Sequence, residues 1–321
     1  MWSMGEAPGG SLLSEGSAMR NALVEDFLDA GLCVVTTQDV RLGESAADPC
    51  QAFRVDTVRS AEDERQLIAE HASASDWTLI VAPESDGVLV RRVQWAEHHG
   101  ARLLGLSSEL CELFSNKHET ANWLSRRGIQ TTVGQLVDST DRQFPQGVAV
   151  PSVCKPNDGA GSVGVFTVED PSIWSPPSSP HRLETRCQGD SASISLLCGK
   201  HGHAPLPCVY QHLSDDGCFQ YRGGALPVSP SFQLRAKSLA LEVADHLPPS
   251  ARGLVGIDLV LAEQADNDVI VEVNPRVTTS YVGLRQACRS NLASAMIASA
   301  EGQQPRLDFD LSERIEFSPS Q

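Results

Sequence analysis

The chain predicts a mixed α/β fold that opens with a parallel-sheet domain, and three observations carry that expectation. Apolar strand patterns alternate with amphipathic helical ones through the N-terminal third. A glycine-rich stretch, PNDGAGSVG at Pro156–Gly164, stands between two strand patterns. Near the C-terminal end, Gly253–Arg276 reads as two strands, Leu254–Leu261 and Val269–Asn274, joined by a polar loop.

The N-terminal elements follow in order. Ser17–Ala30 carries Met19, Leu23, Phe27 and Leu28 on one helical face, and Gly31 ends it. The Gly- and Ser-rich residues before it carry little pattern. LCVVTTQD, Leu32–Asp39, follows as a strand, then a loop, then a helix near Ala61–Ala72. DWTLIVAPE, Asp76–Glu84, has the continuous apolar centre of a buried parallel strand. Val88–His99 is helical with Gly100 as its cap, and ARLLGLS, Ala101–Ser107, is a further short strand. Such alternation makes an open domain with a parallel sheet. A domain of this kind ordinarily begins with a strand, and here a helix comes first. Either that strand is missing or very short, or the true start differs from Met1.

Ser108–Arg127 is rich in helical pattern around NKHETANWLSRRG and ends at Gly128, with strands expected at Ile129–Leu136 and Ala149–Lys155. In the loop Pro156–Gly164, glycines let backbone N–H groups approach an anion. It is not a P-loop, because G-x-x-x-x-G-K-[ST] is absent and Lys155 precedes the glycines. Taken alone it reads as a hairpin turn. Pro171–Pro180 is expected as a mobile surface connection at a hinge or lobe boundary. Strands at Ser191–Cys198 and Leu206–His212 flank GKHGHAP, whose His201 and His203 read as solvent-exposed turn residues and not as metal ligands. Gln220–Pro227 reads as a second glycine-rich turn with Arg222 at its edge. Ser231–Leu247 and Ser280–Ala300 are expected helices, and Glu301–Gln321 a polar tail. No internal repeat is visible.

The C-terminal hairpin carries chemistry. With a period of two, Glu272 and Asn274 share a face while Val271 and Val273 point the other way. Symmetric closure about Ala265 sets Asp258 opposite Glu272. Like charges directly opposite destabilise a sheet, and a divalent cation removes the repulsion. Carboxylate and amide oxygens are hard ligands suited to Mg²⁺. The bland alternative is an amphipathic hairpin with a wet acidic face.

Composition narrows the function classes. A chain of 321 residues holds two or three packed domains. The apolar fraction of 41% is ordinary, but with aromatics at 5% the core must rest on Leu, Val, Ile and Ala. A net charge of -16 argues against nucleic acid and against an anionic membrane surface. A phosphate-bearing ligand would need local basic residues, backbone amides and metal. Nine dispersed cysteines without C-x-x-C spacing suggest buried thiols in a reducing compartment. With no long apolar run and no leader-like N-terminus, a cytoplasmic location is expected.

Five motifs occur together: NK at Asn116–Lys117, CKPNDGAGSVGV at Cys154–Val165, ETRCQGD at Glu184–Asp190, GIDLVL at Gly256–Leu261 and VEVNPR at Val271–Arg276. In this combination the chain resembles the ATP-grasp enzymes over about residues 20–300. The resemblance implies an α/β and α+β architecture: an N-terminal pre-ATP-grasp domain (1–107) followed by a two-lobed ATP-grasp fold. The lobes would be a small one (108–180) and a large one with the metal site (181–300), with a polar tail (301–321). It implies an ADP-forming carbon–nitrogen ligase in which ATP turns a carboxylate into an acyl phosphate that an amine attacks. Ser11–Gly31 and Glu272–Arg285 are similar to the tyramine–glutamate ligases of methanofuran biosynthesis and their bacterial relatives, which implies L-glutamate and tyramine as substrates.

Carried over by motif position, Lys117 and Lys155 would contact the nucleotide, Lys155 nearer the α and β phosphates. Gly159, Gly161, Ser162 and Gly164 would form a flap over the phosphates. Glu184 and Cys187 would hold adenine, and Asp190 would serve as the ribose acid, although Ser191 departs from the pattern. Asp258, Glu272 and Asn274 would bind Mg²⁺, which Mn²⁺ could replace. Catalytic roles fall to Lys155 and to Arg276, which would meet the transferring phosphoryl group. Arg222, Thr278, Thr279, Ser280, Tyr281 and Arg285 would line the substrate pocket. The resemblance is compatible with a homodimer. Two other readings stay open: a ligase for another amino acid and amine, and a nucleotide-binding regulatory protein without turnover. A dinucleotide oxidoreductase is excluded by the absence of G-x-G-x-x-G after a strand.

Overall fold

The structure, a computed structural model, describes residues 9–43 and 52–319. Helix α1 (Gly10–Asp29) begins ahead of the expected Ser17. Strand β1 (Val34–Asp39) then pairs in parallel with β2 (Phe53–Val58), from Val34↔Phe53 to Asp39↔Val58. β2 falls where only a loop was expected, because Arg54 and Asp56 interrupt its short apolar pattern. Cys50 lies outside the described residues; every described cysteine is a free thiol.

Ser60 accepts from the Asp63 N–H and caps α2 (Ala61–Ala74). The two expected strands on either side of α3 (Val88–His98) run parallel as predicted, but they meet in one bridge only, Thr78↔Leu103. Their alternating side chains feed two cores. Ile80 and Ala82 pack with Val93, Leu106 and Phe114, whereas Trp77, Leu79 and Val81 face the cluster of Leu104, Leu254 and Leu284. The expected helical segment divides at Asn116 into α4 (Ser108–Ser115) and α5 (Lys117–Ser125), and the Asn116 side chain caps α5 by accepting from the Glu119 N–H.

Four antiparallel strands form a small sheet in the order β3-β6-β4-β5: β3 (Gly134–Val137), β4 (Ser152–Pro156), β5 (Phe166–Val168) and β6 (His181–Thr185). A lobe boundary at 180/181 would cut this sheet, since β6 sits between β3 and β4.

The seven-stranded sheet comprises β7 (Asp190–Gly199), β8 (Gly202–Pro205), β9 (Val209–Leu213), β10 (Tyr221–Leu226), β11 (Gly253–Leu261), β12 (Val269–Asn274) and β13 (Ile315–Phe317). Its order is β12-β11-β7-β9-β10-β13, with β8 on β7. The period of two divides β7 and β11 between the cores. Ile194, Leu196, Val255 and Ile257 pack against Ala236, Ala240 and Val243 of α6 (Pro230–Ala244). Leu197 and Leu254 face α1, α7 (Ser280–Ala287) and α8 (Leu292–Ala300).

Four expectations are corrected here. Gln220–Pro227 is not a turn: most of it is β10, and Gly223 and Gly224 are needed because added Cβ atoms would collide with the Phe317 and Tyr210 carbonyls. The C-terminal tail contributes β13, whose Phe317 is buried. The single helix Ser280–Ala300 breaks after Ala287, and Asn291 starts α8 by accepting from the Ser294 N–H at 2.8 Å. GKHGHAP contains β8, which leaves His203 half-buried, with burial pushing its ring below the usual value.

Asp26 of α1 is buried and accepts from the Tyr281 hydroxyl and from Arg285 Nη2 at 2.7 Å. This pins α7 to α1. Tyr281→Phe is expected to lower stability by about 1–3 kcal/mol, the cost of leaving a buried acceptor short of a donor. Urea unfolding checks it, and an unchanged midpoint would remove the bond from the supports of the fold.

Candidate active site

A cavity of about 510 Å³ opens between the small sheet and the seven-stranded sheet. Its floor is the β11–β12 hairpin. Asp258 lies opposite Glu272 and Gly256 opposite Asn274, the register that symmetric closure about Ala265 requires. Beyond that pair the register shifts, and Leu259 faces Ile270. Val271 is therefore the extra residue of a bulge. Val273 is in the core, but Val271 lines the cavity, contrary to the expectation that both point away. The Val271 carbonyl accepts from Lys155 Nζ at 3.4 Å.

Each cation on the cavity wall has a carboxylate partner. Lys117, the first residue of α5, donates to Glu272 Oε1 at 2.7 Å and to the Gly159 carbonyl at 2.6 Å. Lys155 of β4 reaches Glu184 Oε1 at 2.7 Å. Arg276, just after β12, pairs with Glu84 through Nε at 2.8 Å and Nη2 at 2.9 Å. Burial would weaken the Lys117 ammonium, but Glu272 more than reverses this and holds its pKa above the usual value. Burial likewise opposes the charge on Glu272, yet Lys117 and Lys155 hold its carboxyl below the ordinary range. Asp258 has no such cation. Burial and the Glu272 charge push it up to about 6, against a hydrogen bond from Asn274 and the Arg276 charge. Its oxygens accept from Gln211 Nε2 at 3.1 Å and Asn274 Nδ2 at 3.0 Å.

The hairpin's donor set fits Mg²⁺. Two carboxylates and an amide oxygen supply hard ligands on one open wall, leaving positions for water or phosphate oxygens. Ammonium and amide donors now face those same carboxylates, where a cation would satisfy them. Among the described residues no cluster of three or more His, Cys, Asp and Glu side chains offers a competing metal cage.

The glycine-rich loop closes over this wall. Its base is fixed by Lys117 N–H donating to the Asn157 carbonyl at 2.8 Å and His118 N–H donating to Asn157 Oδ1 at 3.0 Å. At its tip Ser162 Oγ donates to the Phe219 carbonyl at 2.7 Å. Gly161 is left-handed, with φ of 63°, and so close to Leu12 of α1 that an added Cβ would stand 2.7 Å from Leu12 Cδ2.

Most residues expected at the site converge there, including Gly159, Gly161, Ser162, Cys187, Asp190, Thr278, Thr279 and Ser280. Gly164 stands outside the lining. Glu184 lines the cavity, and its carboxylate already accepts from Lys155, Arg182 (Nε, 2.9 Å) and Thr132 (Oγ1, 2.7 Å), so it positions charge there. Arg222 is exposed and away from the cavity, because it is the extra residue of a bulge between Tyr221 and Gly223. Tyr281 and Arg285 also miss the cavity: four apart on α7, they share the face that binds Asp26.

Sequence reasoning missed Glu84, Glu15, Gln211 and Tyr221. An acid ending an apolar strand pattern was the available signal for Glu84, since ligands of open α/β sheets gather at the carboxyl ends of strands. Glu15 offered none.

Two family models match the chain: a pre-ATP-grasp domain over residues 32–109 and an ATP-grasp domain over residues 114–280. Among curated proteins, the chain is similar to the tyramine–L-glutamate ligase of Methanocaldococcus jannaschii, 25% identical over 295 residues that span 92% of this chain and 85% of that protein. Its fold is similar to that of an ATP-grasp superfamily protein from Archaeoglobus fulgidus (TM-score 0.69, 23% identity, 94% of this chain and 86% of that one). It is also similar in fold to an N5-carboxyaminoimidazole ribonucleotide synthetase solved with ADP (TM-score 0.72, 18% identity, 94% and 78%). The chain belongs to the ATP-grasp family. Within it, the chain stands with the ADP-forming carbon–nitrogen ligases.

Glu84→Ala is expected to cost about 1–3 kcal/mol, because it takes the nearest carboxylate from the largely buried Arg276 guanidinium and leaves only the more distant Glu272 and Glu15 charges. Denaturant titration reads the loss; wild-type stability in the variant would contradict the pairing.

Proposed function

We propose that this ligase joins the carboxylate of L-glutamate to the amine of tyramine through an acyl phosphate, releasing ADP and phosphate. The observation that carries the reading is the cavity wall on which Asp258, Glu272 and Asn274 stand together in register, with Lys117 and Lys155 reaching onto it. The similarity to tyramine–L-glutamate ligases over nine-tenths of the chain supports the choice of substrates.

A carboxylate is a poor acylating agent, and phosphorylation supplies the leaving group. Lys117 and Lys155 hold the nucleotide phosphates, and the segment Thr185–Cys187 lines the adenine end. Asp258, Glu272 and Asn274 would hold Mg²⁺, which would supply positive charge to spread that of the transferring phosphoryl group. Arg276, steadied by Glu84, faces the same charge, and the loop around Gly161 keeps water from the acyl phosphate. The division that accords with the sheets is an N-terminal domain to residue 107, a small lobe through Thr185 and a large lobe that includes β13.

Glu272→Ala is expected to abolish Mg²⁺-dependent ATP turnover with the circular dichroism spectrum unchanged. Retained Mg²⁺-dependent activity would remove Glu272 from the metal site. Lys155→Ala is expected to weaken nucleotide binding by calorimetry; equal affinity would take it off the phosphates. The substrate assignment is tested by ADP release from Mg·ATP and L-glutamate with tyramine, then with other amines. A tyramine-dependent glutamyl amide supports both substrates, and an amide with another amine replaces tyramine. ATP binding without turnover on any acceptor favours a regulatory protein.

A further inference from the structure

One end of the cavity, beneath α1, is not used by the nucleotide or metal residues. Three side-chain oxygens are buried there without a hydrogen-bond partner: Glu15 Oε1, Tyr221 Oη and Thr278 Oγ1. All three residues line the cavity, and they come from separate elements: α1, β10 and the turn between β12 and α7. Buried polar atoms left unpaired are uncommon and costly, so three converging on one cavity point to a ligand that satisfies them.

The chemistry of that ligand follows from the atoms. Glu15 Oε2 already accepts from Thr279 Oγ1 at 3.3 Å, which fixes the carboxylate and leaves Oε1 open. The charged groups facing Glu15 are Arg276 and Glu84, and those two pair with each other. Burial raises the Glu15 pKa in spite of Arg276. Tyr221 is likewise raised, by burial and then by the Glu15 and Asp258 charges. Glu15 Oε1 also faces the closing loop, since a Cβ on Gly161 would stand 3.8 Å from it. Moreover, α1 precedes both family-model matches, so Glu15, unlike Tyr221 and Thr278, lies outside the segments that the family models describe.

We propose that Glu15, Tyr221 and Thr278 bind the attacking amine as its ammonium ion. An ammonium carries three N–H donors, and three oxygens stand open to accept them, one from a carboxylate. The site rests on the ligase reading above and defines its acceptor class: a primary amine that is cationic at neutral pH. To react, the ammonium gives one proton to Glu15 Oε1 and exposes its lone pair. Nitrogen attacks the acyl carbon, the C–N bond forms, and the bond from that carbon to the phosphate oxygen breaks with its electron pair leaving on phosphate. The second nitrogen proton departs with that phosphate, and Glu15 returns its proton to solvent.

The test compares tyramine with hydroxylamine, a nucleophile that is uncharged at neutral pH, using Mg·ATP and L-glutamate. In Glu15→Gln, kcat/KM for tyramine is expected to fall about thirtyfold or more, as when one partner of a buried charge pair is removed. Hydroxamate formation and the KM for ATP are expected to stay near wild type, and Glu15→Asp is expected to restore part of the tyramine rate. Equal tyramine kcat/KM in wild type and Glu15→Gln, or a parallel loss of hydroxamate and amide, overturns the amine site alone. Wild-type protein that forms neither hydroxamate nor amide overturns the ligase reading and this site with it. If Glu15→Gln does not fold, Tyr221→Phe carries the same comparison, with a smaller selective loss expected.

Discussion

Asp258 and Glu272 stand directly opposite on neighbouring strands, facing the same cavity. Two carboxylates so placed repel each other and resist burial, and much of the surrounding architecture answers that one unfavourable contact. Glu272 keeps its charge because an ammonium arrives from the start of α5. Asp258 has only amide donors and is the member whose pKa rises to about 6. The asymmetry lets the pair persist before any cation is bound, with one member firmly ionised and the other close to neutral pH.

The same logic extends along the wall. Lys155, Arg276 and Lys117 would each be costly in a half-dry cleft without a counter-charge, and each has one. Two of these pairs, Lys117–Glu272 and Arg276–Glu84, also join elements far apart in sequence. Glu84 comes from the N-terminal domain, Glu184 from the small sheet and Glu272 from the large one. Breaking such a pair costs more than forming it contributes, because the surviving charge remains buried. The cavity is therefore held in shape by charges that a polyanionic substrate and its cation can engage directly.

Much of this was legible in the chain. The pairing of Asp258 with Glu272 was expected from a period of two and symmetric closure about Ala265, although the chain reaches it through the bulge at Val271, and the motifs placed both lysines. What was not legible depended on neighbours. The glycines of β10 read as a turn until Phe317 and Tyr210 show why a side chain cannot fit. Tyr281 and Arg285 looked like pocket residues because they follow the VEVNPR motif, but helical spacing turns them together onto Asp26. Glu15 lies in a stretch with no pattern of its own, and only the packing of α1 over the cavity gives it a place.

The bulge at Val271 bears on how this hairpin can vary. A regular ladder would transmit any odd change in the polar loop straight to Glu272, turning its side chain to the opposite face. With one unpaired residue between the loop and the carboxylate pair, the two stretches of ladder are decoupled. The stretch from Gly256 to Asp258 is held independently by β7 through Ser195, Ile194 and Ser193. Without that extra residue the loop-side ladder would set Val271, not Glu272, opposite Asp258, so the bulge is what brings the two carboxylates face to face.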